Sequence, residues 1–205
     1  MTMQSSWDIT GFWNAIQSVQ EELRTNIMAG NVVPAYTWVG QALQRSRIDI
    51  VHEVTSDDTD AILVFTPESD PKVAREIDML LAAAPRMNGW KIFGRRQRQE
   101  VEDALRMTEE VYDVDLRDAR FIVTSLQTGG LEITMFTAAA REFESAAAAG
   151  LATFFLEHAI GEMLLMQTVR SARLEPLDDA LGSSIGASEL FEMVESQISH
   201  QSKIR

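Results

Sequence analysis

Cysteine is missing from the 205-residue chain. Its absence excludes disulfide staples, thiolate nucleophiles and Cys-type zinc sites together. Phosphate-binding glycine loops are missing too. No G-x-x-x-x-G-K-[ST] occurs, and no G-x-G-x-x-G follows a strand-like run. Histidine is scarce, with three in the chain, so acid–base and metal chemistry have few side chains to draw on. No nucleophile elbow is expected, although a Ser–His–Asp triad is not excluded, because its members need meet only in space. Long hydrophobic runs are absent. The longest, Ala146 to Leu156, is followed by Glu157, His158 and Glu162, too short and too charged to span a bilayer. The opening Met1 to Asp8 lacks the basic and apolar regions of an export signal, so a cytoplasmic protein is expected. Positive charge is also in short supply: 18 Lys and Arg stand against 31 Asp and Glu, a net charge of −13. Such a field repels phosphate, which argues against nucleic acid and anionic membrane as partners.

What remains is an ordinary globular composition, 45% apolar and 24% charged, long enough to bury a core without staples. Ile9, Phe12, Trp13, Ile16, Val19 and Leu23 recur at helical spacing, with Asp8 or Thr10 as cap and Ala29-Gly30-Asn31 as stop. A second helix is expected from Val33 to Arg45, and Trp13 and Trp38 are read as packing between the two. Residues 47–55 alternate as a strand. Ala61 to Phe65 reads as a central strand, paired with the first through the Ser56–Asp60 turn cluster.

Asp70-Pro71 caps and opens a helix that ends at Pro85 and Asn88-Gly89, and Trp90 to Gly94 is the third strand. A helix is expected over 99–112, with Val101, Leu105, Val111 and Tyr112 facing inward. Arg120–Leu126 and Leu131–Thr137 flank Thr128-Gly129-Gly130, a hairpin signal. One long alanine-rich helix is expected over Ala138–Glu162, with Gly150 as its weak point. Met163–Leu174 is expected to be extended, and a short helix at 187–198 to follow a Gly182–Gly186 loop.

The class is therefore α+β. The expectation is a single domain over 1–205, with an antiparallel or mixed sheet of about six strands packed with helices. Its parts are an N-terminal helical pair (1–46), a sheet core with helices (47–176), and a C-terminal helix and tail (177–205).

Charge is unevenly spread. Arg86 to Arg98 carries Lys91, Arg95 and Arg96 as well and no acid, and pairing with the adjacent acidic helix is expected. The following segment is acidic, and Glu100, Glu102, Asp103, Glu109, Glu110 and Asp113 are the expected contacts for a protein partner of basic character. His158 and Glu162, four apart, would share one helical face and are the best pair for acid–base work or a metal. No second set of ligands accompanies them, so no metal and no cofactor are expected. Glu68, Asp70 and the Asp57-Asp58-Asp60 cluster lack the glycine and terminal glutamate of a calcium loop, and read as a turn and a helix cap.

The run Ala61-Ile62-Leu63-Val64-Phe65-Thr66-Pro67-Glu68-Ser69-Asp70-Pro71, then Leu80-Leu81-Ala82-Ala83-Ala84-Pro85 and Gly89-Trp90-Lys91, resembles a bacterial domain-of-unknown-function family. Its pattern is a strand, an acidic turn, a helix ending in Ala-Ala-Ala-Pro, and Gly-Trp opening the next strand. Phe12-Trp13 and Gly161-Glu162 match its early aromatic pair and its late Gly-Glu. The resemblance implies no activity; the basic run from Gly94 to Arg98 departs from it.

Acidity, size and the lack of catalytic motifs lead to the expectation of a non-enzymatic protein-binding protein. More narrowly, it would be an immunity-type inhibitor neutralising a bacterial toxin such as a basic nuclease. The alternatives are a structural or adaptor subunit of a bacterial assembly, with Trp7, Phe12 or Phe191 in an apolar patch, and a small-molecule enzyme using Glu162 and His158.

Overall fold

In the computed structural model, residues 7–179 and 182–204 are described. Met1–Ser6, which hold most of the segment read for an export signal, lie outside the described residues. The protein is α+β. Its contacts divide the chain into two compact units, Met1–Arg96 and Gln97–Arg205, each with its own sheet and core.

The N-terminal unit begins with α1 (Ile9–Met28) and α2 (Val32–Arg45). Asp8 accepts from the Gly11 amide at 2.9 Å and caps α1. Phe12, Trp13, Ile16, Leu23 and Ile27 form its buried stripe. Then come β1 (Val51–Ser56), β2 (Ala61–Thr66), α3 (Pro71–Ala82) and β3 (Trp90–Phe93). β2 is central, antiparallel to β1 and parallel to β3, which accounts for its continuous apolar run. Asp70 caps α3 by accepting from the Lys72 amide at 2.7 Å.

Phe12, Trp13 and Phe65 meet edge to face at the centre of the core. The Trp13 indole N–H donates to the Leu80 carbonyl at 2.8 Å, so this ring also ties α1 to the end of α3. Phe12 is fully buried and belongs to no surface patch.

The first strand begins four residues later than its alternation suggested. Ile48 N–H donates to the Leu43 carbonyl and Arg47 N–H to that of Gln44, while Arg47 takes φ 57°. This is a Schellman close with arginine where glycine is usual, and its hydrophobic partners are Ile48 and Leu43. Residues 46–48 therefore finish α2 rather than start β1.

The C-terminal unit contains α4 (Val101–Tyr112), the hairpin β4 (Arg120–Ser125) and β5 (Leu131–Thr137), and a 3-10 turn at Ala138–Glu142. It continues with α5 (Ser145–Leu156), a π-helical turn at Glu157–Gly161, α6 (Glu162–Thr168), β6 (Val169–Pro176), β7 (Ile185–Gly186) and α7 (Leu190–Ile204). The sheet order is β6-β5-β4-β7, with β5 and β6 parallel and the other pairs antiparallel. Phe121 stacks on Phe155 with centroids 5.2 Å apart, joining the sheet to α5.

Three expectations are corrected in this unit. The long helix over Ala138–Glu162 is instead a 3-10 turn, α5 and a π turn, and the break falls at Gly161 (φ 85°), not at Gly150. A Cβ at Gly161 would also stand 3.3 Å from the Arg98 amide nitrogen. Met163–Gln167 is helical, because Met, Leu and Gln are helix formers with no branch at Cβ; the strand starts only at Val169. Val111 is 61% exposed, since the stripe of Val101, Ala104, Leu105, Thr108 and Tyr112 leaves it outside the packed face of α4. One helical stretch, Ser145–Thr168, is long and apolar enough to cross a membrane by composition alone, and most of it is buried inside the protein.

Candidate functional site

Glu100 is the residue before α4, and Glu102 and Asp103 stand in its first turn, where carboxylates oppose the helix dipole favourably. One turn on, Asp103 and Glu110 flank Arg106 at 3.0 and 3.2 Å, and Asp103 first, then Glu110, raises the Arg106 pKa further. The helix ends at Asp113, in the left-handed region with φ 54°, a conformation that aspartate tolerates.

Beyond it the chain forms a loop tied down by its own acids. Glu109 accepts from the Leu116 amide at 2.8 Å. Asp118 accepts from the Thr137 hydroxyl at 2.6 Å and from the Ala138 amide at 2.9 Å, so it holds the start of the 3-10 turn. Asp115 pairs with Arg117 through the guanidinium Nε at 2.9 Å. That guanidinium holds the Asp115 carboxyl well below the usual carboxylate range.

These elements enclose an open cleft of about 750 Å³. Among the described residues five carboxylates line it, those of Glu109, Asp113, Asp115, Asp118 and Glu142, with Arg117 as the single cation. Of the six residues read from the sequence as partner contacts, Glu109 and Asp113 line the cleft. Glu100, Glu102, Asp103 and Glu110 stand on exposed positions of α4 or its cap outside that lining. Glu142 escaped the sequence reading because its 3-10 turn looked like the start of a helix.

No family model, curated protein or solved structure matches this chain.

The remaining candidates fall in other places. Lys91 pairs with Asp57 and Asp60, Arg95 with Asp78, and Arg96 with Glu53, so inside the N-terminal unit the basic run finds acids of that unit. Arg98 lies over the Phe191 ring at 3.7 Å, which covers part of the apolar surface that an adaptor patch would use.

Glu157, His158 and Glu162 are all buried in or beside the π turn. His158 Nδ1 meets the Phe154 carbonyl at 2.8 Å, and since a carbonyl only accepts, Nδ1 is the donor. The spacing of four does not place His158 and Glu162 on one α-helical face, because the π turn and the positive φ of Gly161 intervene. Among the described residues no group of three or more could hold a metal ion.

One pattern went unread in the sequence: Gly182-Ser183-Ser184-Ile185-Gly186 spells Gly-x-Ser-x-Gly. Its serine precedes the two-residue edge strand β7 instead of closing a strand-to-helix turn, and the Ser184 carbonyl accepts from Arg120 at 2.9 Å. A nucleophile elbow needs the opposite order.

Proposed function

We propose that this is a non-enzymatic, protein-binding protein whose acidic cleft receives a basic segment of its partner, in the manner of an immunity-type inhibitor. The observation that carries this reading is the cleft itself, with five carboxylates facing one guanidinium that is already engaged by Asp115. A low-dielectric wall behind such a cluster focuses the field and speeds the encounter with a cation. Two of the carboxylates, those of Asp113 and Glu142, make no side-chain hydrogen bond or ion pair among the described residues, which leaves them for a partner.

The test is capture of a stoichiometric basic protein by the tagged chain at low and moderate salt, followed by rate measurements on that pair. Replacing Asp113→Asn, Asp115→Asn and Glu142→Gln together should slow association by about tenfold or more while leaving the fold intact. Unchanged association by the triple variant, or no basic partner at either salt, overturns the reading.

The burial of Glu157, His158 and Glu162 within one turn favours a second reading, a small-molecule enzyme with His158 and Glu162 as acid and base. There, Glu162→Gln would abolish turnover and leave capture of a basic partner unaffected.

A further inference from the structure

A second cavity, of about 420 Å³, opens in the N-terminal unit where α2 ends and β1 begins. Small-molecule sites run from roughly 300 to 1,000 Å³. Leu43, Ile48 and Ile50 give it an apolar wall. His52, only 8% exposed, also lines it. The Nε2 of His52 meets the Tyr36 carbonyl at 3.0 Å, so Nε2 bears the proton and Nδ1 is an acceptor. That Nδ1 has no partner among the described residues.

The ring is locked in this attitude. Tyr36 stacks on it with centroids 4.4 Å apart, and a Cβ at Gly40 would stand 3.3 Å from its Cε1. Among the described residues the lining also holds one cation, Arg47, and one anion, Asp49, both exposed and neither ion-paired.

We infer that this cavity binds a small zwitterion with an apolar tail, a free aliphatic α-amino acid. A plain anion would meet Asp49 and a plain cation would meet Arg47; a zwitterion satisfies both. Its ammonium group supplies the donor that Nδ1 lacks, its carboxylate faces Arg47, and its tail covers the leucine and the isoleucines. The site lies in the N-terminal unit and is independent of the acidic cleft.

Titration calorimetry of the full chain tests it, with L-leucine as the probe. Two controls each lack one charge: 4-methylpentanoate has no ammonium and 3-methylbutylamine no carboxylate. Leucine should bind saturably, and each control should bind at least about tenfold more weakly. Arg47→Gly suits the backbone there and keeps the fold, and losing the guanidinium should cost about tenfold in leucine affinity. Asp49→Asn should lose a similar factor. Absence of saturable leucine binding, equal binding of all three probes, or leucine binding unchanged in both variants overturns the assignment. Neutralising the acidic cleft should leave leucine binding as it was.

Discussion

Arg47 occupies the left-handed position that closes α2, at φ 57°. An L-residue there gives up roughly 1–2 kcal/mol relative to its preferred basins, which glycine does not. Arg47→Gly should therefore stabilise the N-terminal unit by about 1 kcal/mol, after glycine's extra freedom in the unfolded chain is subtracted. Urea unfolding reads it as a higher midpoint with an unchanged slope.

His52 carries the pH dependence of the same unit. Burial pushes its pKa below the usual imidazole value, against smaller opposing effects of the Tyr36 carbonyl and Glu53. The unfolded chain therefore takes up a proton near pH ~6.5 that the folded one still refuses. Stability contributed by neutral His52 is complete above that pH and is lost as pH falls below it. Denaturation at a series of pH values should show this decline, and His52→Phe, which keeps a ring beside Tyr36, should flatten it.

Elements with a cap, a breaker and one hydrophobic period were legible in the letters. Asp8 and Asp70 cap α1 and α3 as their positions suggested, and Gly129 and Gly130, both at positive φ, turn the β4–β5 hairpin. The hidden features have non-local causes. Nothing near Gly161 distinguishes it from Gly150; what selects it is the Arg98 backbone, more than sixty residues earlier, and a φ of 85° that only the fold imposes. Likewise the cleft joins the end of α4 to a 3-10 turn held by Asp118, so the acidic run announced Glu109 and Asp113 but not Glu142. Gly161→Ala should cost roughly 1–3 kcal/mol, the usual range for a non-glycine residue forced into such backbone. Thermal unfolding by circular dichroism measures it. A variant as stable as the natural chain would mean that the turn can relax into continuous helix.

Over the whole molecule the net charge of −13 sets the terms on which anything approaches. Encounter with a basic partner should slow as salt rises, because screening shortens the reach of the field to about 8 Å at physiological ionic strength. Dissociation should change far less. Stopped-flow rates over a salt series separate the two, and an association rate indifferent to salt would leave the acidity without a kinetic role.

Tryptophan is divided even more unevenly than charge. All four tryptophans, Trp7, Trp13, Trp38 and Trp90, lie before the Arg96–Gln97 division, and the C-terminal unit has six phenylalanines and Tyr112 in their place. Intrinsic tryptophan emission is consequently a built-in label on one half of the chain. It reports on the unit that holds the His52 cavity, and it carries no native lamp for the unit that bears the acidic cleft. A tryptophan placed at the exposed Val111 would supply one.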